Sequence, residues 1–322
     1  MKRKALATVS LTLRLLGLCS IAAVLSIASV AQNYTFNLAS AATGNNPQAV
    51  TNADLNGDTK PDLIVANYND ATVSVLIANA DGSYKPRVNY TVGNNPVYVV
   101  TGDFNGDQKI DVVVVNSNCP TLPCSASGSF STLLGNGDGT LQAHVDKTLG
   151  HFPSGAVAVD FNADKKLDLA ISNSQDNTIA ILQGNGDGTF RLLRNIATGV
   201  NPNGVIACIC NKPSAGGFVD LVVADTGQND VLWLRGNGNG TFQRPLFFSA
   251  GANPYFLVTG DYNSDGRPDV ITANSGASTA SVLINSSDGG FEPFIDYATS
   301  GPGTSITQGD FDNDGFIDVA VT

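Results

Sequence analysis

Apolar residues in this chain fall in short runs rich in Val, Ile and Leu, set off by clusters of Gly, Asn and Asp. Runs bounded in this way predict strands, and no helical period appears after residue 31. Four kinds of run alternate. PVYVVTGDF (96–104) leads into an aspartate-rich loop, DVVVVN (111–116) leaves one, TVSVLIAN (72–79) precedes a Gly turn, and PRVNYTVG (86–93) follows one. The set recurs every 49 residues or so, as from Asp54 to Asp103 and from Asp261 to Asp310. Four antiparallel strands in a unit of that length predict a propeller blade, whereas the rungs of a parallel β-helix are much shorter. The expected fold class is therefore all-β. Residues 32–322 are expected to form a β-propeller of four-stranded blades, six of them visible and the last incomplete.

Two markers keep the register of the repeat. The first is a nine-residue loop with acidic or amide groups at positions 1, 3, 5 and 9. It occurs as Asp54, Asn56, Asp58 and Asp62; as Asp103, Asn105, Asp107 and Asp111; and as Asp160, Asn162, Asp164 and Asp168. It returns as Asp261, Asn263, Asp265 and Asp269, and as Asp310, Asp312, Asp314 and Asp318. The second marker is a Gly turn such as GNGDGTF, with Gly82, Gly139, Gly188, Gly240 and Gly289 at matching places. Asn-Gly and Asp-Gly between apolar runs are strong hairpin signals, because Gly tolerates the positive φ of the turn. Position 9 precedes the turn Gly by 20 residues, except that Asp111 precedes Gly139 by 28. The eight extra residues fall around Cys119 and Cys124, which marks that stretch as an insertion.

The loop chemistry fits calcium, a hard cation that takes six to eight oxygens. Alternate side chains of a tight loop can converge on the ion, a carbonyl near position 7 fills a gap, and position 9 closes the shell. An EF-hand begins similarly but needs a bidentate Glu at position 12 between helices. Position 12 here is Val65, Val114, Ile171, Thr272 or Val321, inside a strand. Without a cation, the converging carboxylates would repel one another. The fourth unit breaks the pattern with Ile209-Cys210-Asn211-Lys212-Pro213, where Lys212 brings a positive charge to the place of the ion, so no calcium is expected there.

These paired markers resemble the FG-GAP-like repeats, also called VCBS repeats, of bacterial extracellular proteins, which are similar to the blades of the integrin α-subunit propeller. The resemblance covers residues 34–322. It implies an extracellular propeller, while its function is left open because such propellers serve many partners.

The amino terminus changes the compartment. Lys2, Arg3 and Lys4 precede an apolar run from Leu15 to Val30, and Ser29-Val30-Ala31 supplies small residues for cleavage before Gln32. Residues 1–31 are thus expected to be a signal peptide, and the apolar run is shorter than the roughly 20 residues of a spanning helix. The product is expected in the periplasm, at the cell surface or secreted, with no membrane insertion after cleavage. Removing Lys2, Arg3, Lys4 and Arg14 takes the net charge from −11 to −15. That acidity argues against nucleic acid as a partner. Export permits disulfides, and Cys119 and Cys124 are expected to pair across Pro-Thr-Leu-Pro. Cys208 and Cys210 stand at i and i+2, where a bridge across an extended strand is strained, so free buried thiols are expected. The second strand of the sixth unit reaches Thr322 before a Gly turn arrives, and residues 34–43 read as a lone outer strand. The repeat is therefore expected to continue to seven blades in a longer chain.

No Ser-His-Asp set or phosphate-binding Gly loop is present, and His144 and His151 read as surface residues. The face opposite the calcium loops is expected to carry Asn67, Tyr68, Asn116, Asn173, Asp225 and Asn274. Amides with an occasional aromatic suit an extracellular glycan or protein, so a calcium-stabilised interaction or adhesion module is the expected function. The alternative is part of a polysaccharide lyase or hydrolase using a carboxylate outside the loops, such as Asp225.

Overall fold

The structure is a computed structural model that describes residues 41–211 and 217–322. The signal segment 1–31, Lys212, Pro213 and most of the lone strand expected at 34–43 lie outside the described residues. Five four-stranded antiparallel sheets and one two-stranded sheet follow one another along the chain, with consecutive strands paired in each. Blade one consists of β1 (Pro47–Ala53), β2 (Asp62–Asn67), β3 (Thr72–Leu76) and β4 (Val88–Thr91). Blades two to five repeat this over residues 96–148, 153–197, 202–249 and 254–298. Two further strands, Ile306–Gly309 and Asp318–Val321, form the beginning of a sixth blade.

Burial follows position in the blade. The second strand is buried throughout, as in Asp111–Asn116 and Asp168–Asn173, because both its faces pack against neighbouring sheets. The fourth strand is the outer edge and shows mostly exposed residues. The first strand lies innermost, where each blade's first strand contacts the next blade's. The core is therefore a series of apolar layers between adjacent sheets, such as Val73, Val75, Val112 and Val114 between blades one and two. Across the ring, Tyr98 of blade two stacks on Phe256 of blade five, with centroids 5.6 Å apart and planes 11° from parallel.

Cys119 and Cys124 are joined in a disulfide that closes the inserted loop of blade two. Tyr68 of blade one donates its hydroxyl to the Cys119 carbonyl at 2.6 Å. From blade three, Gln175 accepts the Cys124 N–H at 2.6 Å and donates to its carbonyl at 3.0 Å. The loop is thus held from both sides.

Two expectations need correction. Cys208 and Cys210 are bridged, with Cα atoms 5.3 Å apart. Cys208 is the last residue of its strand (Pro202–Cys208), so the chain has already left the extended conformation when it reaches Cys210. The second correction concerns the expected ligand face. Asn67, Asn116, Asn173, Asp225 and Asn274 are all fully buried, and Tyr68 is half-buried. These five end the second strands, where each meets the Gly of the preceding connection. Asn67 Oδ1 accepts the Gly44 N–H at 2.9 Å, and its Nδ2 donates to Ser74 Oγ at 2.8 Å. A Cβ on Gly44 would lie 2.4 Å from the Asn67 side chain, so the glycine is required by this close approach. The five side chains are inter-strand staples, closed to a ligand.

Candidate metal centre

Each aspartate loop joins the first and second strands of its blade by a backbone that winds through two left-handed residues. In blade one these are Gly57 (φ 74°) and Thr59 (φ 67°), at positions 4 and 6. That winding turns amide N–H groups toward the side chains of positions 1, 3 and 5. Asp58 N–H donates to Asp54 Oδ1 (3.1 Å) and to Asn56 Oδ1 (2.9 Å). Thr59 N–H donates to Asp54 Oδ2 (2.6 Å), and Lys60 N–H to Asp58 Oδ1 (2.9 Å). The same four bonds recur in blades two, three, five and six, as at Asp103, Asp160, Asp261 and Asp310. In blade six all three positions are acidic, and Asp310, Asp312 and Asp314 each offer an oxygen within 4.8 Å of the others.

Blade three holds both left-handed positions without glycine, at Ala163 (φ 61°) and Lys165 (φ 67°). A left-handed non-glycine residue costs about 1–2 kcal/mol, and nothing lies within 4 Å of a Cβ at the equivalent Gly57 and Gly106. Ala163→Gly is therefore expected to stabilise the chain by about 0.5–1 kcal/mol after the added unfolded-state entropy. Thermal melting checks it, and an unchanged or lower melting temperature counts against the strain.

Position 9 is built differently. Asp62, Asp111, Asp168 and Asp269 are buried behind the loop, and each spans two turns. Asp111 Oδ2 accepts Phe104 N–H at 2.9 Å, while Oδ1 accepts Gly135 N–H at 2.8 Å from the Gly turn of the same blade. Asp62, Asp168 and Asp269 make the matching pairs. The turn in its own right bonds to the aspartate loop of the preceding blade: Gly139 N–H donates to Leu55 O (3.0 Å) and Gly188 N–H to Phe104 O (2.9 Å). Loop, position 9 and turn thus form one unit on one face of the propeller.

The position-9 carboxyls hold their protons more tightly than ordinary carboxyls, chiefly because they are buried. Burial pushes the Asp168 carboxyl up to about 6, the Gly184 and Phe161 N–H groups pull it down, and the charges of Asp164 and Asp160 push it up again. Asp269 is raised to about 6 for the same reasons, with Asp265 and Asp261 as its neighbours. Oxygen-only donors gathered in one tight loop are the ligand set that a hard divalent ion takes.

Blade four lacks the loop side chains among its described residues. Its position-9 residue, Asp220, keeps the anchoring role, accepting N–H bonds from Asn211 (3.0 Å), Gly236 (2.8 Å) and the Trp233 indole (3.0 Å). Arg235 lies over the Trp233 ring, 4.7 Å from its centroid, and donates to the Gly289 carbonyl of blade five. The Cys208–Cys210 disulfide stands at the end of the first strand, where the other blades begin their aspartate loop, while Trp233 lies in the third strand and Arg235 follows it.

The sequence placed the five staple residues on a ligand face and did not reveal their role as staples, yet a signal for it existed. Gly44 precedes Asn67 by 23 residues, and the same interval separates Gly93 from Asn116, Gly150 from Asn173 and Gly251 from Asn274. A fixed interval between a glycine and an amide is what a close contact between them requires.

A family model for the FG-GAP-like repeat matches residues 54–114, 217–272 and 261–321, together just over half of the chain. No curated protein matches it. Among solved structures, BBS1N in complex with ARL6DN is similar over 88% of this chain and 78% of its own, with 13% identity and a TM-score of 0.58. A putative 6-phosphogluconolactonase from Bacteroides uniformis is similar over 84% and 77%, with 13% identity and a TM-score of 0.63. A protein from Lactobacillus plantarum matches over 83% and 75%, with 15% identity and a TM-score of 0.57. At such identities the likeness is one of fold. FG-GAP-like propellers are generally non-catalytic interaction modules, and their repeats commonly bind calcium. Among the described residues no helix is long and apolar enough to cross a membrane. Repeat length, sheet order, loop geometry and the family match agree, and the chain belongs to the FG-GAP-like repeat family.

Proposed function

We propose that this chain is an exported, calcium-stabilised β-propeller that acts without catalysis as a recognition module for an extracellular glycan or protein. The observation that carries the reading is the recurrence of one loop geometry in five blades, with side-chain oxygens of positions 1, 3 and 5 gathered by the same four bonds. These residues, the position-7 carbonyl of Lys60 and its counterparts, and the lone pairs left on the position-9 carboxylate would hold the ion. Calcium would supply the positive charge that lets several carboxylates share one loop. Five ions would also reduce the mature charge from −15 to −5. Export through residues 1–31 delivers the protein to a compartment where calcium is abundant. The non-catalytic part of the reading is supported by the burial of Asp225, one of the carboxylates outside the loops that an acid–base mechanism could use, which is sealed from solvent.

Extracellular calcium modules bind at about 0.1–1 mM, so at about 1 mM calcium each site adds roughly 0.4–1.4 kcal/mol. Five sites together rival the roughly 5–15 kcal/mol of a whole domain. Calorimetry in calcium and in EDTA tests this. The melting temperature is expected to fall by many degrees in EDTA and to return with calcium, and an unchanged value sinks the proposal.

A further inference from the structure

The junctions between blades are filled alike at the first two and differently at the third. Ile77 packs under the Gly139 turn of the next blade, where a Cβ on the glycine would meet it at 2.6 Å, and Leu134 packs under Gly188 at 2.7 Å. The residue in this place in blade three is Gln183, five before Gly188 as Ile77 is five before Gly82. Gln183 turns away from the next blade. It donates to Asp164 Oδ2 at 3.3 Å and accepts from Arg191 Nη2 at 2.7 Å. Leu193, 3.4 Å from where a Cβ on Gly240 would lie, takes part of that place, and an open groove of about 440 Å³ is left beside it between blades three and four. Its walls are Asp164, Gln183, Arg191 and Arg194 on one side and Asn239 and Thr241 on the other.

Two further departures from the repeat converge there. Arg194 occupies the position of Val88, Val145, Leu246 and Ile295 in the other complete blades. As in the other complete blades, the register of its strand (Phe190–Ala197) shifts by one residue, here between the partners of Ile181 and Leu182. That bulge allows Arg191 and Arg194, three residues apart, to line the same groove instead of opposite faces. Lys60, Lys109 and Arg267 pair with the position-5 aspartate of their loops, but their counterpart Lys166 turns to the Asn185 carbonyl at 2.8 Å. Among the described residues Arg194 has no hydrogen-bond or ion-pair partner, and Arg191 bonds only to the neutral Gln183. Two guanidinium groups against the single carboxylate of Asp164 leave the groove with an excess of positive charge that favours an anion, and their planar forks match carboxylates. The amides and hydroxyl around them suit a ligand dense in hydroxyl groups.

We propose that the groove between blades three and four binds a uronic-acid oligosaccharide, with Arg191 and Arg194 on sugar carboxylates and Gln183, Asn239 and Thr241 on hydroxyls. The assignment rests on the reading of the chain as an interaction module and names its ligand class. Titration calorimetry of the full chain at about 1 mM calcium tests it, with oligogalacturonate as the probe. A neutral galacto-oligosaccharide of equal length and oligoglutamate serve as comparisons. Arg194→Val and Gln183→Ile carry side chains that other blades use at these positions, so the fold is kept, and the melting temperature of each variant verifies this. Oligogalacturonate is expected to bind roughly tenfold or more tighter than the neutral sugar, and Arg194→Val to lose about tenfold. Equal binding of the neutral sugar, or unchanged binding in both variants, overturns the proposal. Oligoglutamate binding as tightly with the same dependence on Arg194 overturns the sugar assignment in favour of an acidic peptide. The shift of melting temperature in EDTA, read on the same samples, reports separately on the calcium reading.

Discussion

Asp111→Asn is expected to cost at least half the stability that Asp111→Ala costs, although it keeps the shape of the side chain. Asp111 is fully buried and accepts one backbone N–H on each oxygen, from Phe104 and from Gly135. An amide can accept on its oxygen alone, and its NH₂ would then face a donor. A buried donor left without a partner costs about 1–3 kcal/mol, so the alanine variant is expected to lose roughly 2–6 kcal/mol and the asparagine variant at least half of that. Asp103, at position 1 of the same loop, is expected to behave in the opposite way. Its side chain accepts from Gly106, Asp107 and Gln108 at the solvent-exposed end of the loop. Asp103→Ala should therefore melt near the parent in EDTA and lose much of the increment that calcium gives. Melting each variant with and without calcium separates the anchor from the ion-holding positions. If Asp111→Asn melts within a degree of the parent in EDTA, position 9 is not the anchor the bonds describe.

This division of labour explains which parts of the molecule could be read from the sequence. Strand ends at Asp62–Asn67 and Asp111–Asn116 are local, set by turn chemistry on either side, and they appear in the structure where the repeat puts them. The loop and turn glycines are local too, because a positive φ leaves its mark at the residue that adopts it. Burial of Asn67 is not local. An Asn after a strand is as good a turn former as it is a ligand, and only the approach of Gly44 from the preceding connection decides between them. The bridge between Cys208 and Cys210 depends on where β-structure stops, a matter of one or two residues that apolar pattern does not fix. The groove beside Arg194 depends on the next blade, yet it could be found by aligning the repeats with one another, since Gln183 and Arg194 are polar where most other blades are apolar.

Asp225→Asn is expected to stabilise the protein at pH 8 and to do nothing at pH 4. Asp225 takes the place of Asn67, Asn116, Asn173 and Asn274 in blade four and is equally buried. Its Oδ1 accepts the Val200 N–H at 2.6 Å, but its Oδ2 has no partner. The Thr72 and Ser74 that receive the Asn67 amide are replaced here by Asp230 and Leu232. Burial pushes the Asp225 carboxyl up to about 6, the Val200 N–H opposes this, and the charge of Asp230 adds to it. Asp230 is itself raised by burial. The folded state thus holds the Asp225 proton more tightly than the unfolded chain, where the carboxyl ionises near its ordinary 3.8. The folded protein then loses stability on this account as pH rises from about 4 to about 6, and above that the full penalty of about 3 kcal/mol applies. An asparagine removes the ionisation, keeps the acceptor for Val200 and offers its NH₂ to Asp230. Asp168 and Asp269 are raised in the same direction when no ion is bound, so the comparison is best made in saturating calcium, as the difference between variant and parent at each pH. That difference is expected to grow from near zero at pH 4 to about 3 kcal/mol at pH 8. A difference that does not change with pH would mean that Asp225 is not held protonated, and the unpartnered Oδ2 would then need another source of compensation.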